Sequence, residues 1–268
     1  MNGESVWLGP LRGPVRLLMI GFAILAVGLI AWLIVGHAVF GSEVAMYEML
    51  RPAGRPLVQA TLLSLGAALL LASMYLSDTI GAIEPRPTGF VDVISLICSR
   101  LAMIGIVFVV IVMFYEVVSR YVFEKPTLWA NELSLWIAGF VFLLAGLYAK
   151  QQRSHIRIYI IYDLMPRWAQ KLCDCVSVAL IWAFTLALVW GGYNEARDKF
   201  FRGETFGTAW DPPIPATIKP AILIIIALVA IQSLSNLIAD WNKPPESHTP
   251  MDDIDETEIE NIRRTLEE

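Results

Sequence analysis

The sequence predicts an all-α integral membrane protein that crosses the bilayer about six times, grouped two plus four, with both termini cytoplasmic. Three observations predict it. Of 268 residues, 56% are hydrophobic, and the mean hydropathy is +0.60. Only 17% are Asp, Glu, Lys or Arg, where a soluble domain carries roughly a quarter. Six apolar stretches reach or approach the about 20 residues that a hydrocarbon core about 30 Å thick demands of a helix. They run over 15–36, 57–77, 96–118, 129–149, 172–193 and 217–239.

The first stretch follows Arg12 and Arg16, as the apolar core of a signal peptide follows its basic segment. It is too long for one, and Ile34–Phe40 offers no small-residue cleavage site, so it is read as a retained span. With the second stretch it forms a nearly featureless, lipid-soluble pair. The break Glu84-Pro-Arg-Pro-Thr-Gly then separates residues 1–85, an extra N-terminal pair, from a four-helix core over 86–241. The fifth and sixth spans are joined through 203–220, whose Gly and Pro residues break helix and fix an irregular path. Residues 242–268 form an acidic cytoplasmic tail behind a Pro-containing spacer. In it Ile259, Ile262 and Leu266 stand at helical spacing, against the plainer expectation of a solvated tail.

Orientation rests on the positive-inside bias. The short segment 150–171 holds Lys150, Arg153, Arg157, Arg167 and Lys171 against the single acid Asp163, which places it in the cytoplasm. The formal charge of −5 comes from the tail, where eight acids face Arg263 and Arg264, leaving +1 on the rest. No basic stripe points to nucleic acid. Cys98, Cys173 and Cys175 lie in or beside spans, where neither a disulfide framework nor a metal site is expected.

Ionisable groups inside a membrane are costly and mark function by default. The richest patch runs from Tyr115 to Trp136. Glu116 and Arg120 stand at i,i+4 and can pair. Pro126 can open the next helix, placing Asn131 and Glu132 in its first turns, where the macrodipole favours a carboxylate. Trp129, Glu132 and Trp136 share one helix face. Read functionally, this is a protein–protein or gating site built on Arg120 and Glu132. Read structurally, it is an interfacial aromatic belt with a salt bridge capping a hairpin. A second patch, Lys150-Gln-Gln-Arg-Ser-His-Ile-Arg, brings Arg153, His155 and Arg157 together. His37, His155 and His248 do not form the membrane pairs that haem ligation needs. No phosphate loop, nucleophile elbow or zinc-protease motif occurs, so no enzyme and no catalytic residue is expected.

At these two patches the chain resembles the small membrane subunit, DctQ type, of tripartite ATP-independent periplasmic (TRAP) transporters. The residues that carry the resemblance are Arg120-Tyr-Val-Phe, Pro126, Trp129, Asn131-Glu132 and Trp136, then Arg153-Ser-His155-Ile-Arg157-Ile, and Met165-Pro166. The resemblance covers roughly 91–240. It implies a scaffold in the bacterial inner membrane beside a large DctM-type subunit that carries the sodium and substrate sites. A periplasmic solute-binding protein would deliver a small solute such as an organic acid. No cofactor is expected on this chain. The family core has four spans, so residues 1–85 are an addition, and Ile158-Tyr159 stand where the family often has an acid. The competing expectation is an anchor or assembly subunit of a respiratory or signalling complex.

Overall fold

The computed structural model describes residues 5–42, 44–81, 84–153, 162 and 165–242. These form six long helices: α1 (Arg12–Phe40), α2 (Pro56–Ser77), α3 (Phe90–Tyr121), α4 (Trp129–Gln151), α5 (Arg167–Arg202) and α6 (Ile214–Asp240). All six are long and apolar enough to cross a membrane, and the chain is a multi-pass membrane protein. Of the tail expected over 242–268, residues 243–268, with His248, lie outside the described residues, as do His155 and Arg157.

Several helices outrun the stretches that hydropathy marks. At 1.5 Å per residue, the 36 residues of α5 reach about 54 Å, and the 32 residues of α3 about 48 Å. Their ends therefore stand outside a hydrocarbon core of about 30 Å. On α3 the limits are legible, because Arg100 and the Glu116–Arg120 pair bracket the run 101–115, which holds no charged side chain.

The helices pack as a row, each mainly against its neighbours, in the order α1, α2, α3, α4, α6, α5. Apolar side chains are largely exposed, as Trp190 and Phe142 are, because lipid rather than a protein core surrounds them. Packing in lipid gains little from hydrophobic burial and relies on close approach. A Cβ on Gly105 would meet Val141 at 3.1 Å, and one on Gly139 would meet Ile218 at 3.0 Å. These glycines set the α3–α4 and α4–α6 contacts.

The N-terminal pair is not featureless. Thr61, Ser64, Ser73 and Ser77 form a buried small-residue stripe on α2. Their hydroxyls donate back to the carbonyls of Leu57, Thr61, Leu70 and Met74. Each polar group is thereby satisfied within its own helix, and the stripe offers neighbours a thin surface. Hydropathy averages over such a stripe, which is why the sequence hides it.

Candidate functional site

The start of α1 and the end of α6 lie at one rim of the helix row, and the α3–α4 hairpin lies at the opposite rim. At the hairpin end, Glu116 is the centre. It is 3% exposed, and its Oε1 accepts from Arg120 Nε at 3.0 Å and Nη2 at 2.5 Å. Its Oε2 accepts the Thr127 backbone N–H at 3.0 Å and the Thr127 hydroxyl. One carboxylate thus closes the turn between α3 and α4. Lys125 donates its N–H to the Ser119 carbonyl, and Glu124 turns through φ 54°.

Arg120 and Glu132 do not meet. Arg120 belongs to Glu116, while Glu132 accepts from the Thr208 hydroxyl at 2.6 Å. Pro126 does not open the next helix, since α4 begins at Trp129. The segment before it is held to Glu116 by the two bonds from Thr127. Asn131 is exposed. Trp129 stacks on Tyr115 with ring centres 5.7 Å apart, and Trp136 donates to the Thr217 hydroxyl of α6 at 2.8 Å. The face shared by Glu132 and Trp136 therefore addresses the loop over 203–213 and the start of α6.

That loop is a strap. Gly203 ends α5 in the left-handed region, and Asp211 (φ 60°) accepts the Gly207 N–H at 2.7 Å. Trp210, 4% exposed, donates its indole N–H to the Met46 carbonyl at 3.0 Å. Met46 lies between α1 and α2, so the strap ties the added pair to the four-helix core across the start of α4.

At the other rim three clusters fasten helices to one another, and the one at Glu84 joins the added pair to the core. The Asp78 carboxylate, wholly buried, accepts at Oδ1 from the Ser5 hydroxyl and the N–H groups of Val6, Trp7 and Leu8, at 2.8–3.0 Å. Its Oδ2 lies 3.4 Å from Arg12 Nε. Burial alone would raise this carboxyl. The Leu8 and Trp7 amides, Ser5 and the Arg12 charge outweigh burial and hold it below the ordinary range.

Glu84 sits in the linker between α2 and α3. It takes both Arg100 guanidinium nitrogens, at 2.9 and 2.5 Å, the Tyr148 hydroxyl at 2.5 Å and the Gly81 N–H at 2.7 Å. Arg100 also donates to the Thr79 carbonyl at 3.0 Å. Burial again opposes the charge, yet the Arg100 and Tyr148 bonds, the Gly81 amide and the Arg100 charge hold Glu84 down to about 2.

The third cluster joins α3, α4 and α6. Gln232, fully buried, donates to Asp92 Oδ1 at 2.7 Å and Asn236 Oδ1 at 2.9 Å, and accepts from Ser95 at 2.8 Å. Asn236 donates to the Lys150 carbonyl at 2.7 Å, and Thr88 caps Asp92 through its N–H and hydroxyl. Beside it Arg153 (φ 57°) pairs with Asp240 at 2.5 and 3.0 Å. Arg167 donates to the Asp240 carbonyl, and Lys171 lies over the Trp241 ring. Cations gathered at the C-terminus of α6 complement its dipole.

Sequence reasoning passed over Asp78, Glu84, Asp92, Arg100, Tyr148, Gln232 and Asn236. A signal was there: Asp92, Ser95 and Ser99 recur at i, i+3 and i+7, and Gln232 and Asn236 at i and i+4. Among the described residues no group of three His, Cys, Asp or Glu side chains is placed to hold a metal ion. The three cysteines are free thiols.

Comparison with known proteins accords with this architecture. The family described as "Tripartite ATP-independent periplasmic transporters, DctQ component" matches residues 109–243, half of the chain. A "C4-dicarboxylate TRAP transporter small permease protein DctQ" of Vibrio cholerae is 28% identical over 81 residues, which are 30% of this chain and 35% of that protein. A "Sialic acid TRAP transporter permease protein SiaT" of Haemophilus influenzae is 24% identical over 131 residues, 48% of this chain and 21% of that protein. The chain thus spans about a third and about a fifth of the lengths of these two relatives. No solved structure gives a significant match.

Proposed function

This chain belongs to the DctQ component family of tripartite ATP-independent periplasmic transporters, a family of transporters and not of enzymes, and we propose that it serves there as a non-transporting scaffold subunit in the bacterial inner membrane. One observation carries the reading. The middle of every span is free of charged and carboxamide side chains: 17–36, 60–77, 101–115, 133–147, 176–193 and 221–231 contain none. A path for an ion or an organic anion needs such groups along its length. The polar side chains that this chain does bury near the helix ends bond one helix to the next.

A scaffold needs something to support. The sialic acid relative extends far beyond its match, since 131 residues make up only 21% of it. In our reading the remainder of such a permease corresponds to a DctM-type large subunit that supplies the sodium and substrate sites. The names of the two relatives, C4-dicarboxylate and sialic acid transporters, point to a carboxylate-bearing organic acid as solute. The hairpin at Glu116 and the strap at Trp210 form the surface available to a periplasmic solute-binding protein. The basic segment around Lys150, Arg153, Arg167 and Lys171 faces the cytoplasm.

The test is reconstitution. Tagged chain should recover the DctM-type protein encoded beside it. Liposomes containing both subunits, with binding protein and an inward sodium gradient, should accumulate the organic acid. Uptake by liposomes containing this chain alone would overturn the scaffold reading. Uptake by the pair without sodium would overturn only the coupling.

A further inference from the structure

Along the α5–α6 seam a groove of about 400 Å³ opens sideways. Its walls are Ala187, Leu188, Gly191, Ile222 and Leu223, and Glu195 and Lys219 stand over one end. The groove exists because Gly191 and Gly192 remove two side chains from one turn of α5. A Cβ on Gly192 would meet Leu223 at 3.3 Å, so that glycine lets the helices close. A Cβ on Gly191 would meet nothing within 4 Å and would project into space.

Level in the membrane decides what fills such a groove. Trp190 and Tyr193, both exposed, are the amphipathic rings that settle at the headgroup boundary. Glu195 lies just beyond them. From there the groove descends to Ala187, eight residues or about 12 Å of helix, into the hydrocarbon. It is apolar below and charged above, and it opens toward lipid.

The charges are of both signs. Glu195 pairs with Lys219 across the seam, and Lys199 Nζ lies 3.9 Å from the same carboxylate. The Glu195 side chain is 57% exposed and that of Lys219 39%, so each retains hydrogen-bonding capacity toward the membrane. A phosphate would find ammonium donors at Lys219. A primary ammonium attached to that phosphate would find the free Glu195 oxygen. A quaternary ammonium has no N–H to give the carboxylate, and a headgroup with net negative charge meets it as a like charge.

We propose that this groove is a binding site for one diacylphospholipid with a primary-amine headgroup, its acyl chain along Gly191 and its headgroup bridging Lys219 and Glu195. The site rests on the α5–α6 seam alone and does not require the scaffold reading to be correct.

The experiment is native mass spectrometry of the full chain, released from nanodiscs made with equal parts of phosphatidylethanolamine, phosphatidylglycerol and phosphatidylcholine. One equivalent of phosphatidylethanolamine should remain bound in preference to the others. Gly191→Leu, whose side chain enters open space, should lose it while keeping helicity and a monodisperse elution profile. Glu195→Gln, an isosteric change at the charged end of the groove, keeps its shape but should weaken retention by about tenfold, as expected for one charge-assisted hydrogen bond, and abolish the preference. Equal retention of the three lipids by the unmodified chain would overturn the proposal. So would undiminished retention in Gly191→Leu, or cross-linking of Gly191→Cys in native membranes to another protein in place of lipid.

Discussion

Removal of the Glu84 side chain tests whether the added helix pair is bolted to the core. In Glu84→Ala the Arg100 guanidinium loses both carboxylate bonds and the Tyr148 hydroxyl loses its acceptor. Both ionic side chains are sheltered, at 8% exposure for Glu84 and 11% for Arg100. Breaking one side of a buried pair costs roughly 3–5 kcal/mol. Arg100 keeps the Thr79 carbonyl and lies near the membrane surface, so the lower end, about 3 kcal/mol, is expected. At about 2–4 °C per kcal/mol, the thermal midpoint in detergent should fall by about 6–12 °C. Glu84→Ala with Arg100→Met should recover part of the loss, because no buried charge is then left alone. The pH dependence supplies a second arm. A carboxylate whose folded pKa is depressed contributes stability that is fully present above its unfolded value, here 4.5, and is lost as pH falls through about 2. Asp78, also held low, contributes in the acid range too, so the informative quantity is the difference between unmodified chain and Glu84→Gln. That difference should shrink between about pH 5 and 2. A midpoint change under about 2 °C in Glu84→Ala, or a double variant no better than the single one, would refute the clamp.

Three further outcomes are expected. Gln232→Leu should destabilise by about 3 kcal/mol, because Ser95 and Asn236 lose a buried partner and Asp92 loses a donor; chemical denaturation in mixed micelles measures it. Trp210→Phe keeps an aromatic ring but removes the five-membered ring and the N–H that Met46 accepts. It should cost about 1 kcal/mol and hasten proteolysis between α1 and α2, followed by timed digestion. Glu116→Ala should lower the thermal midpoint more than Arg120→Ala, since Glu116 alone holds Thr127, whereas the Arg120 side chain is half exposed. Equal midpoints for the two variants would return the weight to Arg120.

The spans were legible because hydropathy responds to one cause, the thickness of the hydrocarbon, and that cause acts on 20 residues at once. Helix ends were less legible. Nothing apolar marks Arg167 or Arg202 as helical, and α5 continues through both by local hydrogen bonding outside the lipid. The hairpin was half legible. Glu116 and Arg120 are four residues apart, and local spacing suffices to pair them. The partners of Glu132 and Trp136 lie 76 and 81 residues away, a separation that no periodicity encodes. The same holds for Gln232 with Asp92, 140 residues apart. Each looked like an isolated polar residue in an apolar helix until packing brought them together.

That distribution bears on what a scaffold in lipid must be. Hydrocarbon gives no hydrophobic reason for helices to associate, so a stiff row of six must be fixed by something other than its apolar surface. Here close glycine contacts set the spacing within the bilayer, while carboxylates and amides lock the helices at both rims, where water moderates the cost of charge. Glu84, Asp78 and the Gln232 cluster lock one rim; Glu116 and Trp210 lock the other. A chain locked at both rims, with no charged or carboxamide side chain at mid-depth, can hold a partner in place but offers no path for an ion. If a single rim sufficed, Glu84→Ala and Trp210→Phe would give additive losses with no change in how α1–α2 sits against α3. If both are needed for rigidity, the double variant should loosen that contact beyond the sum of the single losses. The measurement is the breadth of the distance distribution between spin labels at Leu63 and Phe142, both exposed to lipid. An unbroadened distribution in the double variant would show that the added pair is held by its α2 stripe alone.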